Sequence, residues 1–193
     1  ATDGINLELQ LNSMRIDGSC TLVSHRPLNI AQNPFGINQL FFLRYEYDKK
    51  LDRYSISREL HLSGLHGPHR VTGNENYCSR WLIQKLTQSL SPFGIQRSQY
   101  SNTTNEYLIL GSAHQKPQSE RIVTSVCLGL LVNSELKEKV RWVESPSIPK
   151  VIVGETCERC AVVDCKERKA PNDPALDPAR FDRILKQVSE FKP

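Results

Sequence analysis

No apolar run in this chain approaches the roughly 18 residues that a membrane-crossing helix needs, and no export leader of charged then apolar residues opens it. A soluble, cytoplasmic protein is the expectation, with no membrane partner. Blocks of like charge are missing too: the net charge of +4 is spread along the chain, so there is no Lys/Arg stripe of the kind that tracks nucleic acid. The usual catalytic signatures are absent, whether a glycine-rich phosphate loop, a dinucleotide fingerprint, a zinc-protease helix motif or a nucleophile elbow. An enzyme is therefore not expected. The first residue is Ala1 rather than an initiator methionine, which suggests a processed chain or an excised domain.

What is present suits one globular domain. The 193 residues suffice to bury a core, and 38% hydrophobic with 24% charged residues argues against disorder. Segments rich in aromatic and β-branched residues fill the first two thirds: 7–16, 41–47, 54–62, 94–100, 106–110 and 122–131 read as strands. Turn clusters at 48–52 and 101–105 join neighbouring strands as hairpins. Three helices are expected, at 75–89, 134–140 and 178–191. The first puts Cys78 in its opening turn; the last has Asp177 as cap, Pro178 at its first position and an apolar stripe of Phe181, Ile184, Leu185, Val188 and Phe191. The fold class is α+β, a mainly antiparallel sheet with helices packed on one side. A body at 1–150 is followed by a cysteine loop and C-terminal helix at 151–193.

The cysteines carry most of the functional information. Cys157, Cys160 and Cys165 form a C-x2-C-x4-C cluster, and Cys78 lies far upstream. Without an export signal, such a triplet favours reduced, metal-bound thiols over disulfides. Structural zinc usually takes two C-x2-C knuckles; one compact loop plus one remote cysteine is also how iron–sulfur clusters are held. Spacing alone leaves zinc and iron–sulfur open. Arg80, Arg159, Lys166, Arg168 and Lys169 place cations around the thiolates, which either tune an anionic centre or form an ordinary solvated surface. Cys127 sits in an apolar run and reads as a buried hydrophobe; it and Cys20 are left out of the site. The stretch His61-Leu-Ser-Gly-Leu-His66-Gly-Pro-His69-Arg70 reads as a polar turn with solvated imidazoles, a metal or ligand loop being the sharper alternative. The sequon at Asn102 carries no weight in a chain with no export signal.

Tyr77-Cys78-Ser79-Arg80-Trp81, together with Gly154-Glu-Thr-Cys157-Glu-Arg-Cys160-Ala-Val-Val-Asp164-Cys165-Lys-Glu-Arg168-Lys-Ala-Pro171, resembles the C-terminal sensor domain of the short-chain fatty acyl transcriptional regulators of bacteria. The resemblance implies a [4Fe-4S] cluster on Cys78, Cys157, Cys160 and Cys165, a response to short-chain acyl-coenzyme A or redox state, and a GAF-like sheet. It also implies a homo-oligomer whose DNA contacts belong to a helix-turn-helix that this sequence does not contain. The alternative is a structural zinc module whose thiolates fasten the C-terminal arm and leave its last helix for protein–protein interaction.

Overall fold

The computed structural model describes residues 37–61, 75–90 and 93–172. All of them belong to one compact unit that begins at Ile37. Six strands form a single sheet: β1 (Leu40–Asp48), β2 (Arg53–His61), β3 (Gly94–Tyr100), β4 (Glu106–Gln115), β5 (Ile122–Leu131) and β6 (Lys150–Val153). Their spatial order is β2-β1-β5-β4-β3-β6, antiparallel throughout except for the parallel pair β3–β6. Two short helices, α1 (Leu82–Ser89) and α2 (Ser134–Lys139), complete a mostly-sheet α+β domain.

Period-two alternation in β1 explains the layering. Phe41, Leu43 and Tyr45 turn to the face that α1 covers, where they meet Tyr107, Ile109, Val123 and Cys127 from the neighbouring strands. Leu82, Ile83 and Leu86 of α1 close over them. Tyr45 is wholly buried and packs edge-on against both Tyr77 and Trp81, contacts worth about 0.5–1.5 kcal/mol each beyond their buried area. Opposite Phe41 the strand must carry glycine, since a Cβ at Gly129 would lie 2.2 Å from the ring. At the sheet edge, β2 keeps only Ile56 buried and exposes Arg53, Arg58 and Glu59, charges that discourage pairing with another chain.

The strands expected at 41–47, 54–62, 94–100 and 122–131 are in place, as are both hairpin turns. β4 runs five residues beyond the expected 110, because Gly111-Ser112-Ala113-His114-Gln115 pair with 123–127 of β5 despite their weak strand pattern. β6 was not foreseen; it spans the 150/151 position, so the cysteine loop continues directly from an edge strand. α2 starts as expected, with the Asn133 side chain accepting from the Leu136 N–H at 2.8 Å.

The helix expected over 75–89 begins only at Leu82 and has Trp81 as its N-cap. Residues before it are claimed by tertiary pairing: the Cys78 N–H donates to Glu155 O at 3.1 Å, the Cys157 N–H donates to Asn76 O at 2.8 Å, and Tyr77 bridges Thr156. Backbone groups committed to that ladder cannot close a helical turn. The expected strand 7–16, Cys20, the loop with His66 and His69, and the helix 178–191 lie outside the described residues.

Candidate metal centre

Two segments nearly eighty residues apart in sequence form the site. The first is the extended 75–78 stretch and the turn leading into α1; the second follows β6 through 154–172. The two-way backbone pairing around Tyr77 and Thr156 brings Cys78 beside the cysteine loop. Side chains reinforce it. The Arg159 guanidinium donates to both Glu75 oxygens at 2.7 and 2.5 Å, and the Thr156 hydroxyl donates to Glu75 Oε2 at 2.9 Å. Glu158 accepts from the Asn76 backbone N–H at 3.0 Å and from its side-chain amide at 2.9 Å. Beneath them the buried Trp81 indole N–H donates to Gly154 O at 2.7 Å. Removing that donor would strand a buried carbonyl, which costs about 1–3 kcal/mol.

Cys78, Cys157, Cys160 and Cys165 line one pocket, shared with Ser79, Arg80, Thr156, Glu167 and Arg168. The structure thus brings together all four cysteines singled out from the sequence. None of the described cysteines is in a disulfide. Cys78, Cys157 and Cys160 are 5–6% exposed, and Cys165 is half-buried. Sulfur atoms receive donors: the Gly154 N–H reaches Cys78 Sγ at 3.5 Å, the Lys169 N–H reaches Cys157 Sγ at 3.4 Å, and the Ser101 hydroxyl lies 3.7 Å from Cys160 Sγ. The Cys160 turn closes against Gly154, where a Cβ would stand 2.8 Å from both Cβ and Sγ of Cys160.

Cys78 does not fall in the opening turn of a helix, because α1 begins only at Leu82, so no helix dipole favours its thiolate. Burial pushes its pKa up, opposed by backbone N–H groups of Gly154 and Arg80. Burial thus favours the neutral thiol at Cys78, and a metal bound by its sulfur would displace that proton. Cys127 stays apart in the core, pushed up to about 12 by burial and only partly offset by a backbone bond with Leu43. It is an inert thiol, as its apolar run implied.

The expected ring of free cations is more committed than sequence suggested. Arg159 belongs to Glu75. Arg168 donates to Cys157 O at 2.7 Å, to Cys160 O at 3.4 Å and to Val162 O, and so stitches the loop into shape. Lys169 lies 5.7 Å from the centroid of the Tyr54 ring. Arg80 has the loosest tie, 3.9 Å from Glu167.

Two features test whether these residues suit a sulfur-rich metal group. Ser79 Oγ is shut off from solvent with no hydrogen-bond partner among the described residues, and Ser79 lines the pocket; a bound sulfide or thiolate would supply an acceptor. The four donors are all soft sulfur, which selects zinc or iron–sulfur over hard cations. The residues fit such a group. Among the described residues, no three His, Cys, Asp or Glu side chains are gathered tightly enough to hold a single metal ion.

Glu75, Ser79, Ser101, Gly154 and Thr156 were not picked out from sequence, since single residues of these types carry no spacing signal. Comparison with family models, curated proteins and solved structures finds no match for the chain.

Proposed function

We propose that this chain is the regulatory sensor domain of a bacterial transcription regulator. In this reading Cys78, Cys157, Cys160 and Cys165 hold a [4Fe-4S] cluster, and the domain responds to redox state or to a short-chain acyl-coenzyme A. The observation that carries the metal part is the convergence of four cysteines from two distant segments on one pocket with an orphaned hydroxyl. Tetrahedral zinc, with Zn–S near 2.3 Å, would need its sulfurs about 3.8 Å apart. A polynuclear group spreads its sulfurs further than a single zinc does, and among the described residues no three such ligands gather around a single-ion position. When bound, such a cluster supplies a one-electron couple whose potential follows hydrogen bonding and exposure.

The protein's own part is to hold the Cys78 segment and the cysteine loop against each other. The Glu75–Arg159–Thr156 contacts and the backbone pairing do this from one side, and the cluster would do it from the other. A change in the cluster would then alter a junction next to α1, which serves as the two-state element of this reading. The effector, the GAF-like ancestry of the sheet, a homo-oligomeric state, a cytoplasmic setting and DNA contact through a separate helix-turn-helix rest on the resemblance of 77–81 and 154–171 to the short-chain fatty acyl regulators. No catalytic role is assigned.

Cys78→Ser tests the reading. After anaerobic preparation this variant should lose the broad visible absorbance, iron and sulfide that the parent carries, while the parent's absorbance bleaches on reduction. A colourless parent with one zinc per chain would replace the sensor by a structural clasp.

A further inference from the structure

Three of the four thiols are held far more firmly than the fourth. Cys78, Cys157 and Cys160 are buried; the Gly154 and Lys169 N–H groups donate to the first two sulfurs, and Cys160 Sγ shares a hydrogen bond with the Ser101 hydroxyl. Among the described residues no hydrogen bond reaches Cys165 Sγ, and this side chain is half-buried. Backbone anchoring follows the same order. Cys78 donates to Glu155 O and accepts from the Trp81 N–H; Cys157 donates to Asn76 O; Cys160 O accepts from Asn172 at 2.8 Å and from Arg168 at 3.4 Å. Cys165 contributes one bond, its carbonyl accepting from the Arg168 N–H at 3.2 Å. The chain leading to it is exposed at Ala161, Val163 and Asp164, with Val163 at 87%.

We infer that Cys165 is the exchangeable ligand of the centre, the thiolate that leaves first and opens one coordination position to a small oxygen donor. The inference rests on the metal-centre reading above but not on which metal is held. No electron would move in such an exchange: were a metal group held here by Cys78, Cys157, Cys160 and Cys165, Cys165 would let go of it as a thiol, its proton coming from a water whose hydroxide would balance the charge left behind. Arg80 and Arg168 line the same pocket, so hydroxide or a carboxylate arriving there meets positive charge. The three anchored cysteines keep the group in place meanwhile. Movement is confined to 161–166, the exposed part of the loop, which gives the sensor a responsive end and a fixed end.

The test is timed alkylation of the metal-loaded full chain with iodoacetamide, with every cysteine read separately by peptide mass spectrometry. Cys165 should be modified at least about tenfold faster than Cys78, Cys157 and Cys160, because alkylation needs an unligated, accessible sulfur and Cys165 is the one that lets go and lies nearest solvent. Cys127, buried in the core, should stay unmodified and report that the fold is intact. Equal rates at the four cysteines, or another of them reacting first, would overturn the inference. As a second measurement, Cys165→Ser should retain most of the parent's metal while Cys160→Ser loses it; equal loss in both would also overturn it. Iron, sulfide and zinc analysis of the unmodified protein decides the cluster reading separately, because the alkylation order judges Cys165 with either metal bound.

Discussion

Gly154 is the residue on which the centre's geometry turns. It gives its N–H to Cys78 Sγ and its carbonyl to Trp81, and it leaves the space into which Cys160 closes. Gly154→Ala should therefore push Cys160 out of place, costing about 1–3 kcal/mol of stability as an overpacked site does and lowering bound metal per chain. Urea unfolding with metal analysis checks this, and an alanine variant with full metal content would contradict it. At the start of β4 Glu106, its side chain 14% exposed, accepts from Arg97 of β3 and, at 2.6 Å, from Lys150 of the edge strand β6. Burial pushes its pKa up, but hydrogen bonds from Lys150 and Arg97 outweigh that and hold the carboxyl below its ordinary 4.5. A depressed folded pKa means that the contribution is present above about pH 4.5 and fades as pH falls through the folded value. Glu106→Gln should cost about 1–2 kcal/mol near neutral pH, with the gap to the parent closing in acid; a gap that stays constant to pH 3, roughly one unit below a free carboxyl, would contradict the assignment. At this scale the cysteines were legible because thiols at short spacing are rare. Gly154 and Ser79 were not, since nothing local marks a glycine that faces a sulfur or a hydroxyl awaiting an acceptor.

Elements were legible where one face is buried. The apolar start of β1, buried from Leu40 to Leu43, and the near-continuous burial of β5 both follow from their positions inside the sheet. β6 escaped notice because four residues starting with a lysine show no period, and its parallel partner lies far away in sequence. The start of α1 was misplaced for a related reason: helical spacing continues upstream of Leu82, but 76–78 spend their backbone groups on 155–157. Glu75 secures that junction, with its side chain 10% exposed and bonded to Arg159 and Thr156. Glu75→Gln leaves the guanidinium with only the 4.0 Å contact to Glu155 as a charged partner, a loss of about 1–3 kcal/mol. Metal should leave this variant several-fold faster under a chelator than it leaves the parent. A parent-like release rate would show that the backbone ladder alone holds the two segments together.

At the scale of the described unit, the sheet and α1 form a base, and the cysteine loop is a strap fastened to it beside α1. Cys157 and Cys160 sit where the strap is pinned against Cys78, and Cys165 sits on its exposed stretch. The size of the domain and its sheet were readable from composition and pattern, whereas the meeting of residue 78 with residues 157–165 depends on β6 joining the far edge, which no local signal specifies. The central claim is that these thiols hold an iron–sulfur cluster. Its most direct test is a visible spectrum with iron, sulfide and zinc analysis on protein purified without oxygen. The account predicts a broad absorbance that bleaches on reduction, with about four iron and four sulfide per chain. A colourless protein holding a single zinc would contradict it.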